Sequence, residues 1–168
     1  LMYVCLVFLA VFIGWSVGTA PVIGFHYGAQ NHGELRSLRR KSMVVTAVFA
    51  AAMFAAALLL ARPLSLLFVG YDPELLKMTV HAFSIFSFSF LFSGFAVFGS
   101  SFFTALNNGL VSAAISFLRT LVFQVAAVLL LPLVWGVDGI WLSIVAAEAL
   151  AAAVTAAFLW GLRKKYGY

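Results

Sequence analysis

Residues 110–134 form an apolar run that carries one permanent charge, Arg119, and one amide, Gln124. A hydrocarbon core about 30 Å thick is crossed by roughly 20 apolar residues at 1.5 Å rise each, and this run is long enough. It reads as a membrane span. Arg119 lies about nine residues in from the Asn107-Asn108-Gly109 turn, on the order of 13 Å deep. A guanidinium facing lipid at that depth costs at least ~2.5 kcal/mol, so Arg119 must face protein or water.

The rest of the chain agrees with this class. Hydrophobic residues make up 65% and charged residues 9%, far from the balance of a soluble domain. The formal net charge of +5 does not point to nucleic acid, because the basic residues bunch at span ends, where they act as a topology signal. The single cysteine, Cys5, excludes an intramolecular disulfide and a multi-cysteine metal site. The first residues are already apolar, with no basic n-region or small-residue cleavage site, which does not read as a signal peptide. The absence of Met at position 1 predicts a piece of a longer protein that begins inside or at the edge of a span.

Five spans are predicted, at about 1–23, 43–61, 78–106, 110–134 and 140–162. The end of the first is dense in small residues and proline. Pro21, Gly24 and Gly28 are its candidate hinge or kink, and this density also permits close helix approach. Residues 26–42 read as a basic cytoplasmic loop carrying a short amphipathic helix on the membrane surface, with Leu35 and Leu38 on its apolar face. His26 and His32 in that stretch read as surface residues. Arg62-Pro63 is expected to stop the second span. Asp72 then reads as an N-cap with Pro73 at the first helical position.

The third span contains a Phe/Ser alternation that looks locally like a strand, but the pattern is helical over its full length. At about 100° per residue, Ser89, Ser93, Ser100, Thr104 and Asn107 fall within roughly 60°, whereas strand geometry scatters them to both faces. Hydroxyl stripes glue membrane helices together, and they also line hydrated cavities; both readings stand at this stage. In the fourth span Ser112, Ser116, Arg119, Thr120 and Gln124 share a sector of about 140°. Together these residues outline a shared polar interior.

Glu148 is the sole charge of the fifth span. Arg119 precedes Gly136 by 17 residues and Glu148 follows it by 12. In an antiparallel pair their levels therefore differ by about five residues, on the order of 8 Å, which a long arginine largely closes. A mid-membrane Arg119/Glu148 pair is expected, formed directly or through water or Gln124, and either fixing helix packing or setting the proton or cation exchange of Glu148. Enzyme motifs are absent, with no paired carboxylates, HExxH, GxSxG or Walker loop, so catalysis and a cofactor are not expected.

Seven of the nine basic residues outside the spans (Arg36, Arg39, Arg40, Lys41, Arg163, Lys164, Lys165) fall on one side of a five-span arrangement. That side, which includes the 163–168 tail, is cytoplasmic by the positive-inside rule.

Several short motifs resemble a known family in order and spacing. They are Pro21-Val-Ile-Gly-Phe-His-Tyr-Gly-Ala29 before a basic loop, Phe103-Thr-Ala-Leu-Asn-Asn-Gly109, Ile115-Ser-Phe-Leu-Arg119, Leu131-Pro132, and Gly136-Val-Asp-Gly-Ile-Trp141 with Ala147-Glu148. Across nearly the whole chain they resemble the C-terminal half of a bacterial multidrug and toxic compound extrusion (MATE) transporter. The resemblance implies an all-α integral membrane fold, here five helices of an incomplete six-helix lobe, with the other lobe missing from this sequence. It implies export of lipophilic or cationic compounds in exchange for H+ or Na+ across the inner membrane. Family members that bind the coupling cation in this lobe place acids on its first and fourth helices. The first is absent here and the matching fourth, the span of Ser89 to Asn107, has no Asp or Glu, which favours protons over sodium. The Ser93, Ser100 and Thr104 stripe among phenylalanines would suit a cavity for lipophilic cations. A lipid-linked saccharide flippase of the same superfamily and a non-transporting scaffold or assembly subunit are the alternatives.

Overall fold

In the computed structural model, which describes residues 2–168, the chain is helical throughout its ordered elements. Helix α1 spans Met2–Gly28 and α2 spans His32–Val69; α3, Pro73–Ser87, and α4, Ser89–Ala105, form one bent passage. Helix α5, Gly109–Phe117, runs through a π-helical turn, Leu118–Phe123, into α6, Gln124–Gly161, and a short α7, Arg163–Tyr166, follows. Helices α1 and α2, the bent pair α3/α4, and residues 109–161 are each long and apolar enough to cross a membrane.

The last of these folds back on itself. Arg119 and Glu148 are 29 residues apart, about 44 Å in a straight helix, yet their side chains are in hydrogen-bond contact. The chain must reverse between them. It does so at Gly136, whose φ of 58° and ψ of −132° break the helix of α6 in a region L side chains avoid. Three residues on, Gly139 sits against the backbone of Leu131 and Pro132, Pro132 Cα lying 2.7 Å from where a Cβ would be. Only glycine fits there. The resulting fold has five apolar legs.

Local starts follow the sequence. Asp72 Oδ1 accepts the Glu74 and Leu75 N–H groups at 2.9 and 3.2 Å with Pro73 in the first turn, which begins α3. The Phe/Ser stretch is helical, as its polar periodicity requires, and is interrupted at Phe88, where the passage bends by 42°. Two sequence expectations differ. Helix α2 runs straight through Pro63, a break that neighbouring helices make tolerable in a membrane. Ser65 Oγ hydrogen bonds to Ala61 O at 2.6 Å beside it. The basic stretch from His32 is likewise the first turns of α2 rather than a separate surface helix. Asn31 caps it by accepting the Glu34 N–H at 3.2 Å, and Leu35 is fully buried.

Helix α4 is the central element, packed against α1, α2 and α6. Near one end of the bundle Phe83, Phe86 and Phe90 pack on Ala57 and Ala61 of α2. Near the other, Phe98, Phe102, Phe103 and Leu106 pack with Ile23, Leu35, Leu159, Tyr166 and Tyr168. Hydrocarbon is as apolar as these side chains, so close packing rather than water exclusion holds such interfaces. Glycines on α4 allow it: Cβ atoms at Gly94 and Gly99 would collide with Phe12 and Thr155 respectively. On α1, by contrast, Gly14, Gly18 and Gly28 have nothing within 4 Å of a Cβ, and only Gly24 meets another helix, at Ala105 O. The small-residue density of α1 is therefore not a close-packed seam among the described residues, and the helix continues unbroken through Pro21 to Gly28.

Candidate functional site

The centre of the site is the Arg119/Glu148 pair. Arg119 Nε donates to Glu148 Oε1 and Oε2 at 3.0 and 2.9 Å, and Nη2 donates to Oε1 at 2.7 Å. The two side chains are 21% and 10% exposed, so the pair is largely withdrawn from its surroundings and strongly oriented. Arg119 lies within the π turn. In an α-helix a residue five positions on lies about 140° around the axis, whereas i→i+5 bonding brings it nearly beneath. Gln124 is five residues after Arg119, and it reaches the same region as Glu148.

Two open cavities flank the pair. The first, about 260 Å³, lies between α1, α4 and α5 and is walled by Ser16, Ser100, Ser101, Thr104, Ser116 and Arg119, with Ile13, Val17, Val97 and Ile115 supplying apolar surface. Its hydroxyls are linked. Ser100 Oγ is 2.9 Å from Ser112 Oγ and 3.0 Å from Ser116 Oγ, and Thr104 Oγ1 is 2.8 Å from Ser112 Oγ. Ser101 Oγ donates to Ser16 O of α1 at 3.0 Å. The second cavity, about 380 Å³, is bounded by Cys5, Phe86, Gln124, Trp141, Ile144 and Glu148. Arg119 thus faces one cavity and Glu148 the other.

The serine stripe of the third span divides by depth. Ser89 and Ser93 are buried, while Ser100 and Thr104 open into the first cavity. Asn107 lies beyond the helix in the turn, exposed, at a φ of 58°. Three phenylalanines of α4 turn the other way: Phe98, Phe102 and Phe103 are fully buried in the core, and among the described residues no aromatic side chain lines the first cavity. Aromatic faces are instead found beside Glu148, at Phe86 and Trp141. Sequence reasoning did not single out Phe86, Trp141, Ser16 or Ser101 for the site. Phe86 and Trp141 are among many aromatics, and only the packing of α1 on α4 brings Ser16 to Ser101. Among the described residues, no three His, Cys, Asp or Glu side chains converge as metal ligands.

A sequence profile of the MatE family matches residues 2–130. The chain belongs to the MatE family. In three dimensions it is similar to an outward-facing and an inward-facing multidrug resistance MATE family transporter of the MOP superfamily. The TM-scores are 0.85 and 0.86, each at 23% identity, covering 97% and 98% of this chain. It is also similar to the Vibrio cholerae MATE transporter VcmN in its bent form, at TM-score 0.79 and 19% identity over 98% of the chain. No curated protein matches. The chain spans only 36–38% of the length of these solved MATE chains. MATE proteins are multi-pass membrane transporters, and the all-α bundle seen here is that fold.

Proposed function

We propose that this MatE chain is one helix bundle of a secondary active efflux transporter, which expels lipophilic or cationic compounds in exchange for a coupling cation, with H+ favoured over Na+. The observation that carries this reading is the placement of the mid-membrane ion pair between two cavities of different character. One presents a carboxylate beside Phe86 and Trp141, a combination that attracts a lipophilic cation by charge and by aromatic face. The other presents linked hydroxyls and a guanidinium, which suit water and proton relay.

Arg119 then acts as a tethered cation. It occupies Glu148 when no substrate does, and a cation arriving between Phe86 and Trp141 competes with it. Such competition couples substrate entry to a movement of the fourth leg against the fifth, and alternating access proceeds by bundles moving against one another. H+ is favoured because α4 carries no Asp or Glu to hold a sodium ion. The basic end of the bundle, with Arg36 to Lys41 and Arg163 to Lys165, faces the cytoplasm of a bacterial cell.

The test is efflux of a fluorescent lipophilic cation from cells expressing the complete reading frame, with surface expression matched. Phe86→Ala and Trp141→Ala should each raise the half-saturating dye concentration by about tenfold, as expected for losing one desolvated cation–π contact of roughly 1–2 kcal/mol. Ser116→Ala, on the opposite cavity, should leave it unchanged. An unaltered half-saturation in both aromatic variants refutes the placement of substrate beside Glu148.

A further inference from the structure

At the basic end of the bundle, the segment 163–168 is folded onto the start of α2. His32 Nδ1 is 3.2 Å from Tyr166 O, Asn108 Nδ2 donates to Tyr166 Oη at 2.7 Å, and Tyr166 and Tyr168 are buried. Gly167, at φ 73°, leaves room for the His32 ring where a Cβ would stand. This arrangement draws Arg163 and Lys164 up to Arg36 and Arg39 around a cavity of about 480 Å³ that Gly167 and Tyr168 complete.

Among the described residues, none of these four cations is in an ion pair. Among the described residues the one acidic side chain at this end, Glu34, lies in the first turn of α2. The Arg39 guanidinium stacks 5.2 Å from the Tyr168 ring centroid, and its Nε is buried without a hydrogen-bond partner. Cations gathered this closely repel one another until an anion joins them. Arginine forks match phosphate oxygens in particular.

A second cavity, about 470 Å³, shares Arg36 and Arg39 and continues down α2 over Arg40, Met43, Val44 and Ala47. Val44 and Val48 are more than half exposed on this path, where α2 enters its apolar stretch. Charge above and an apolar track below describe a lipid rather than a small soluble anion.

We propose that Arg36, Arg39, Arg163 and Lys164 form a binding site for the phosphate of an anionic phospholipid, whose acyl chains lie along α2 over Met43, Val44 and Ala47. The lipid clips the C-terminal turn to the head of α2 and neutralises the cluster.

Native mass spectrometry of the intact chain, released from detergent holding equal amounts of phosphatidylglycerol and phosphatidylcholine, tests the site. Phosphatidylglycerol should be retained preferentially. At about fivefold per cation, R36Q/R39Q should weaken retention roughly thirtyfold, and R163Q/K164Q equally. R62Q, at the opposite end, should have no effect. Arg163 and Lys164 are exposed, so the second pair decides the matter if the first fails to fold by circular dichroism. The proposal is overturned if the two lipids are retained equally or if folded R163Q/K164Q binds as the native chain does. It is also overturned if millimolar inorganic phosphate displaces the lipid, since the site then takes free phosphate.

Discussion

Replacing Glu148 by leucine leaves Arg119 charged, because a guanidinium does not deprotonate in proteins. Three hydrogen bonds of 2.7–3.0 Å are lost, and the charge stays within the bundle. Removing one member of a buried pair costs about 3–5 kcal/mol, and an arginine at a helix centre costs ~2.5–3.5 kcal/mol on insertion scales. Arg119 keeps 21% exposure toward the hydroxyl-lined cavity, where water and Ser116 can partly replace the carboxylate. The overlap of the two ranges, about 3 kcal/mol, is therefore expected, a shift of more than a hundredfold in the folding equilibrium. Arg119→Met should cost less, since a carboxyl, unlike a guanidinium, can be neutralised by a proton. The double variant R119M/E148L removes both charges and should lie within ~1 kcal/mol of the native chain. Reversible unfolding in mixed micelles at neutral pH, followed by circular dichroism, gives all four corners of the cycle. A double variant as unstable as the sum of the singles refutes the pairing argument, as does an E148L that costs under ~1 kcal/mol.

Two further outcomes test the packing and the C-terminal turn. Gly99→Ala drives a methyl into Thr155, so it should destabilise by ~1–3 kcal/mol in the same unfolding assay, and adding Thr155→Ser, which removes the clashing methyl, should recover most of it; equal stability of G99A and the native chain refutes the close approach of α4 and α6. Burial pushes the Tyr168 hydroxyl from its usual 10 up to about 12, partly opposed by Arg39, so the folded state holds that proton more tightly than the unfolded one. This contribution is complete below pH 10 and is lost as pH rises toward 12, and a Tyr168→Phe chain should lack that part of the alkaline loss; parallel stability profiles for the two chains between pH 10 and 12 refute it.

The parts of this molecule legible in the sequence were those governed by local chemistry or by simple counting along the chain. Asp72-Pro73 marks a helix start whatever surrounds it. Gly136 and the residue counts on either side of it were enough to set Arg119 near Glu148, because two antiparallel legs leave little choice of level. What escaped depended on neighbours. Pro63 reads as a stop in isolation, yet the helix passes through it in a packed bundle. Ser93 and Ser100 share a face of one helix, and only the tightness of α1 and α2 at each level decides that one is buried and the other open. The basic tail reads as a solvated end, while Tyr166 and Tyr168 carry it into the core through contacts with His32 and Asn108, residues more than fifty positions away.

The π turn at Leu118–Phe123 has a mechanical meaning as well as a local one. It is a length of helix wound one residue too wide, so the angular phase of everything after it is offset from everything before it. The serines of α5 and the leg that descends to Gly136 therefore need not point by the same rule. Each end keeps its own neighbours, and Arg119 stands in the wider turn between them, where it meets Glu148.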